Sequence, residues 1–240
     1  MTIAEQLTRA KADLDAVYAA GKAAAGGGEE NLLKYVSPNG VFQGLFRQAD
    51  FSENGVVKDA VKVEVPDPPA NFSELFHRAI GIRKITLIVP TTKAYNGYRL
   101  ASGYSQYNSA SGSILEELVL PDGIKFSNFQ EFTVYASKLK AVSFISSNGE
   151  NVKGIDLSSC TTTDRCFLQC LALEEIRFVP GSITKSISFA NSPNLSDESI
   201  ASIINGLSCD ASEQTLTVHP SVAARITETD VTDPGWTLAY

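Results

Sequence analysis

The chain has 240 residues, 43% of them hydrophobic, enough apolar material for one elongated core or one domain with a small appendage. A formal charge of −7 and a pI near 4.9 leave no basic stripe to neutralise phosphates, which argues against nucleic acid as the main partner. No apolar run approaches the ~20 residues a spanning helix needs. The amino terminus has neither the positive start nor the apolar centre of a signal peptide, so neither a membrane partner nor export by the ordinary route is expected.

Residues 1–25 read as an amphipathic helix. Thr2 caps it, Glu5 completes a capping box, and Ile3, Leu7, Ala10, Leu14 and Val17 recur at spacings of three and four. The stripe is narrow and the opposite face carries Arg9, Lys11, Asp13 and Asp15, so the helix alone would be marginal in water. It needs a partner, either its own chain or an assembly. In the second case Ile3, Leu7, Leu14 and Val17 form the oligomerisation face, with a trimer favoured. Residues 26–60 follow as a glycine linker and capping segment, with Tyr35, Phe42, Phe46 and Phe51 among turn pairs.

Residues 61–194 carry a repeat. A small residue is followed three, six and eight positions later by apolar ones in Ala79/Ile82/Ile85/Leu87, Gly112/Leu115/Leu118/Leu120, Ala136/Leu139/Val142/Phe144 and Cys170/Leu173/Ile176/Phe178. Each copy reads as a turn feeding a short strand, a unit that cannot bury its own apolar face and must stack on its neighbours. The strict alternation from Val61 to Val65, 22 residues before Leu87, supplies an earlier coil. A second ladder of strand signals is expected at Tyr98/Leu100, Phe132/Val134, Ile155/Leu157 and Ile187/Phe189. An ordinary β-sandwich is the competing reading.

The insertion from Thr91 to Ser113 places four of the eight tyrosines among serine, glycine and asparagine, the composition of contact loops, also suited to carbohydrate. Tyr98 is expected to point inward, and Tyr95, Tyr104 and Tyr107 are the candidate ligand contacts. Residues 195–240 form a closing cap. Ser196 signals a helix with early acids, a buried face of Ile200, Ile203, Ile204 and Leu207, and Gly206 as its stop.

Catalytic chemistry is sparse. His77 and His219 have no readable nucleophile partner, and both are expected at a surface or edge. Glu116/Glu117 and Glu174/Glu175 fall at the same point of two repeats, which makes them solvent-facing rather than a glycosidase pair. Cys160, Cys166, Cys170 and Cys209 do not match a zinc spacing. Cys170 occupies the small-residue position of the repeat; a Cys160 to Cys166 bridge stays open. No catalytic residue, metal or cofactor is expected.

The run from Phe167 to Gly181, FLQCLALEEIRFVPG, resembles the BspA-like leucine-rich repeats of bacterial surface proteins and gut Firmicutes prophages. Residues 72–79 and 115–123 match it more loosely. The opening (residues 1–8 and 17–22) and the closing segments 189–207, 214–220 and 235–238 resemble prophage members in particular. Ser109 and Thr133 depart from the repeat's phenylalanine, which points to distorted central coils. The resemblance implies a mainly β fold with helical ends, an irregular leucine-rich-repeat solenoid preceded by an N-terminal helix. It also implies a non-enzymatic virion component, made in the bacterial cytoplasm and freed by lysis. Its expected partners are other virion proteins, itself, or a host surface protein or glycan. The alternative is a bacterial cell-surface or secreted adhesin.

Overall fold

The computed structural model describes residues 31–34, 46–47, 57–65, 68, 70–103, 114–145, 152–211, 213–232 and 234–240. The expected N-terminal helix, with Ile3, Leu7, Leu14 and Val17, lies outside them, as do Tyr104 and Tyr107.

Five strands form one parallel sheet: β1 (Asn31–Lys34), β2 (Lys58–Glu64), β3 (Ile82–Ile88), β5 (Glu117–Pro121) and β7 (Ala141–Ile145), in that order. Between them in sequence, β4 (Ala94–Asn96) pairs with β6 (Lys125–Asn128) in a second sheet. A third sheet at the carboxyl end orders β10 (Thr237–Ala239), β9 (Thr215–Val218) and β8 (Ile187–Phe189). Every pairing is parallel, because the chain always returns through a connection before laying down the next strand.

The repeat offsets set the register. Ile85 stands opposite Leu118 and Leu118 opposite Val142, and a bridge from Ala141 to Glu175 carries the alignment toward Ile176. These four side chains are buried, so a one-residue slip would turn the whole apolar row outward. In β2, Val63 rather than Val65 faces Leu87. The coil that ends at Leu87 therefore starts two residues earlier than the count from Val65 suggests.

Opposite the large sheet, the connections stack as tiers of tandem turns. Leu75 N donates to Phe72 O, His77 N to Glu74 O and Ala79 N to Phe76 O, all at 3.1 Å. Left-handed φ values of 52° to 62° recur at Glu74, Arg78, Arg99, Glu131, Tyr135, Arg165 and Gln169. A non-glycine residue there costs about 1–3 kcal/mol and persists only where its surroundings over-determine it. Here hydrogen bonds between tiers do so: Glu74 N donates to Tyr98 O (2.7 Å), Arg99 N to Gln130 O (3.2 Å) and Glu131 N to Asp164 O (2.8 Å). Gly103 sits where a Cβ would overlap the Tyr135 carbonyl, so this approach of two tiers requires glycine.

Phe129 stacks on Phe132 at 4.1 Å, Phe167 on Phe189 at 4.9 Å, and Phe126 meets Phe132 edge-on, giving an aromatic column through one continuous core from Phe46 to Trp236. Thr133, standing where the repeat has phenylalanine, is fully buried. Its Oγ1 donates to Cys166 O at 3.2 Å and its carbonyl accepts from Cys170 Sγ at 3.1 Å.

The expected fold requires correction. In place of a mainly β leucine-rich-repeat solenoid with helical ends, the described chain holds three separate parallel sheets of five, three and two short strands, joined largely by turns and only mildly β in content. The left-handed residues explain part of this. Arg99 and Glu131 break the extended backbone, so Tyr98/Leu100 and Phe132/Val134 lie in turns, and the paired strands lie earlier, at Tyr95 and Phe126. Ile155 makes only an isolated bridge, and Ile187 and Phe189 belong to the third sheet.

Helix α1 (Asp197–Gly206) forms where Ser196 predicted it, with Ser196 Oγ accepting from Ser199 N at 3.2 Å. Gly206 is needed for packing rather than as a left-handed stop: a Cβ there would come within 2.9 Å of Ile183 Cδ1. The short helices α2 (Pro220–Ala223) and α3 (Glu228–Thr232) flank β10, and buried Trp236 donates from Nε1 to Ser208 O at 2.9 Å. No helix among the described residues is long and apolar enough to cross a membrane.

Candidate functional site

Tyr95 is not an exposed contact. It is completely buried, stacks on Phe72 at 4.2 Å and donates from its hydroxyl to Pro90 O at 2.6 Å. Its place in β4 opposite Phe126 is structural, which removes it from the contact loop that composition suggested.

His77, expected at an edge, is also interior. Its Nδ1 meets Ser102 Oγ, while Nε2 has no hydrogen-bond partner among the described residues. Burial, together with Arg78, Arg47 and Arg99, lowers its pKa from 6.5 to about 4, so the ring is neutral near pH 7. A serine against a histidine is the beginning of a nucleophile and base pair. With His77 only 4% and Ser102 only 2% exposed, however, no substrate reaches either in this conformation.

Cys160, Cys166 and Cys170 are buried free thiols and Cys209 is an exposed one, so no Cys160 to Cys166 bridge is present. Burial pushes the Cys170 thiol up to about 12 and Cys166 higher still, leaving both unreactive as nucleophiles. No cluster of histidine, cysteine or carboxylate residues suited to a metal occurs among the described residues.

Several acids are matched by cations. Glu74 and Glu131 flank Arg99, at 3.7 and 2.5 Å, and Arg47 closes the row at 3.0 Å from Glu74. The row follows from the tier geometry, since Glu74, Arg99 and Glu131 occupy equivalent left-handed positions in successive tiers. Glu116 receives Lys140 at 3.0 Å and Arg83 at 2.6 Å, which hold its carboxyl below the usual range. Glu117 pairs with Lys84 at 3.1 Å.

One region is different. Val142 N donates to Glu175 O at 2.8 Å, so in an unbroken parallel ladder the next donor, Phe144 N, would reach Arg177 O. That carbonyl instead accepts from Ile155 N at 2.9 Å. The displacement depends on Gly154, at φ +94°, whose Cα lies so close to the Arg177 backbone that any Cβ would overlap it. On its far side, the segment from Ile176 to Phe178 is covered by α1. Ser199 Oγ accepts from Ile176 N and Ser202 Oγ from Phe178 N, both at 3.0 Å.

The outer edge of β7 from Ser143 to Ile145 is thereby separated from the next segment, and a groove of about 470 Å³ opens beside it. Val142, Ser143, Phe144 and Val152 line one side; Glu175, Ile176, Arg177, Ser196, Glu198 and Ser199 line the other. Glu175, Arg177 and Glu198 are exposed, and none has an ion-pair partner among the described residues. Ile145, at the end of the edge, is 39% exposed. Mixed charge, hydroxyls and a strand edge are features that can recognise an extended polar chain. Sequence reasoning placed Glu175 at the surface but missed the groove; Gly154, the one glycine beside Ile155, was the available signal.

Comparison with family models, with curated proteins and with solved structures gives no match for this chain.

Proposed function

We propose that the protein is a non-enzymatic structural and contact component of a phage or prophage particle, made in the bacterial cytoplasm and released by lysis. Its stacked-turn body meets other particle proteins or a host surface, and its amino-terminal segment attaches it or brings copies together. The observation that carries this reading is the distribution of reactive groups. The histidine and thiols of the stacked body are buried, acids such as Glu74, Glu116 and Glu131 are held in ion pairs, and Glu175, Arg177 and Glu198, without an ion-pair partner among the described residues, line a groove sized to hold a chain. Support for a particle comes from the two ends, which resemble prophage-encoded proteins.

Mass spectrometry of particles purified after prophage induction tests the reading. The protein is expected at stoichiometric abundance with the other structural proteins. Its absence from particles, with recovery from the cell envelope, would overturn it in favour of a surface adhesin.

A further inference from the structure

Resting on the contact role just proposed, the geometry points to a particular mode of binding: the open edge of β7 takes an extended, lysine- or arginine-bearing segment of a partner protein, added as a strand. Three observations meet at this place. The ladder of the five-stranded sheet is interrupted part-way along β7, where Arg177 O is occupied by Ile155 N and the next outward donor, Phe144 N, has no partner among the described residues. An unpaired strand edge is a template for another chain, and main-chain hydrogen bonds supply affinity in strand addition.

The groove has the size of a small-ligand site, about 470 Å³, and lies along only three residues of edge. It therefore selects a short stretch of extended chain rather than a folded face. The charges choose the side chain. Glu175 and Glu198 share the lining with one guanidinium, Arg177, so the lining carries a net negative charge that a basic side chain complements. Asp197, adjacent to Glu198, is already bound by Arg225 and does not compete for the incoming residue. Phe144 and Val152 in the lining give the added strand apolar neighbours.

The test uses the full-length chain and three fluorescein-labelled, capped heptapeptides. One alternates threonine and valine around a central lysine, the second has glutamate at the centre, and the third is the lysine peptide N-methylated at alternate amides. Fluorescence anisotropy should show binding of the lysine peptide, at least about tenfold weaker binding of the glutamate peptide, and loss of binding on N-methylation. The double variant Glu175→Gln with Glu198→Gln should lower affinity for the lysine peptide by about three- to tenfold. Both positions are exposed, so an unchanged melting curve will show that the variant is folded.

Equal binding of the lysine and glutamate peptides, indifference to N-methylation, or no binding at the solubility limit would each overturn strand addition. Particle mass spectrometry reads the broader role separately. A protein present in particles whose groove ignores all three peptides keeps the contact function and loses this mode of binding.

Discussion

The turn tiers around Glu74, Arg99 and Glu131 and the groove around Glu175, Arg177 and Glu198 are built from the same residue types, two acids about one arginine, yet they end in opposite states. In the tiers, successive turns place unlike charges at equivalent left-handed positions, and every tier is fixed to the next by backbone hydrogen bonds. At the groove the stacking is interrupted by the Ile155 bridge and by α1, so the charges have no tier above them to answer. Continuity of stacking, rather than composition, decides whether a charged side chain serves the fold or is left for a partner.

The sharpest way to break the comparison is through the core beneath the tiers. Phe132→Ala should destabilise the protein by about 3–5 kcal/mol, measured by urea denaturation, because the ring contacts Phe129, Phe126 and Phe167 and leaves a cavity. Ile145→Ala at the groove should change stability by less than about 1 kcal/mol. Equal losses would show that the groove is as tightly built as the tiers.

Acid should act next, chiefly through His77 in the tiers. The folded pKa of His77, about 4, lies below its ordinary 6.5. Between those values the unfolded chain binds a proton that the folded chain refuses. The contribution is therefore intact above pH 6.5 and is lost as pH falls toward 4, by about 3 kcal/mol. Denaturation midpoints from pH 7 to 4 should fall less steeply for His77→Gln than for the natural chain; parallel profiles would remove His77 from the account.

Charge removal should have a smaller and asymmetric effect. Arg99→Gln leaves Glu74 and Glu131, both mostly covered, without their shared partner and should cost about 1–2 kcal/mol in a thermal melt. Arg177→Gln, exposed and without an ion-pair partner among the described residues, should stay within about 0.5 kcal/mol. Glu117→Gln, which loses one partly exposed pair with Lys84, should cost under about 1 kcal/mol, diminishing further in salt.

The large-sheet register was legible because inward side chains at fixed offsets must align when strands pair in parallel; Ile85, Leu118 and Val142 do so. Helix α1 was equally legible, from its cap and its isoleucines. The turn tiers were not, since their left-handed positions carry glutamate, arginine, tyrosine and glutamine rather than glycine or asparagine, and only contacts between tiers enforce that backbone. Tyr95 misled because a polar, glycine-rich neighbourhood surrounds a side chain that is itself interior. The groove escaped notice because it is produced by a missing ladder contact, and a break in pairing leaves no periodic mark.

The serines of α1 have one more consequence. Ser199 accepts from Ile176 N and donates to Glu174 O at 2.9 Å, so a single hydroxyl imitates the carbonyl and amide of a neighbouring strand. To the segment beneath it, the helix is the next rung; to anything beyond, it presents a helical surface with no backbone row to copy. Elongation of the sheet by accretion of further chains stops at that point, as a chain terminator stops a polymer, and any docking beside it is confined to the three-residue gap along β7.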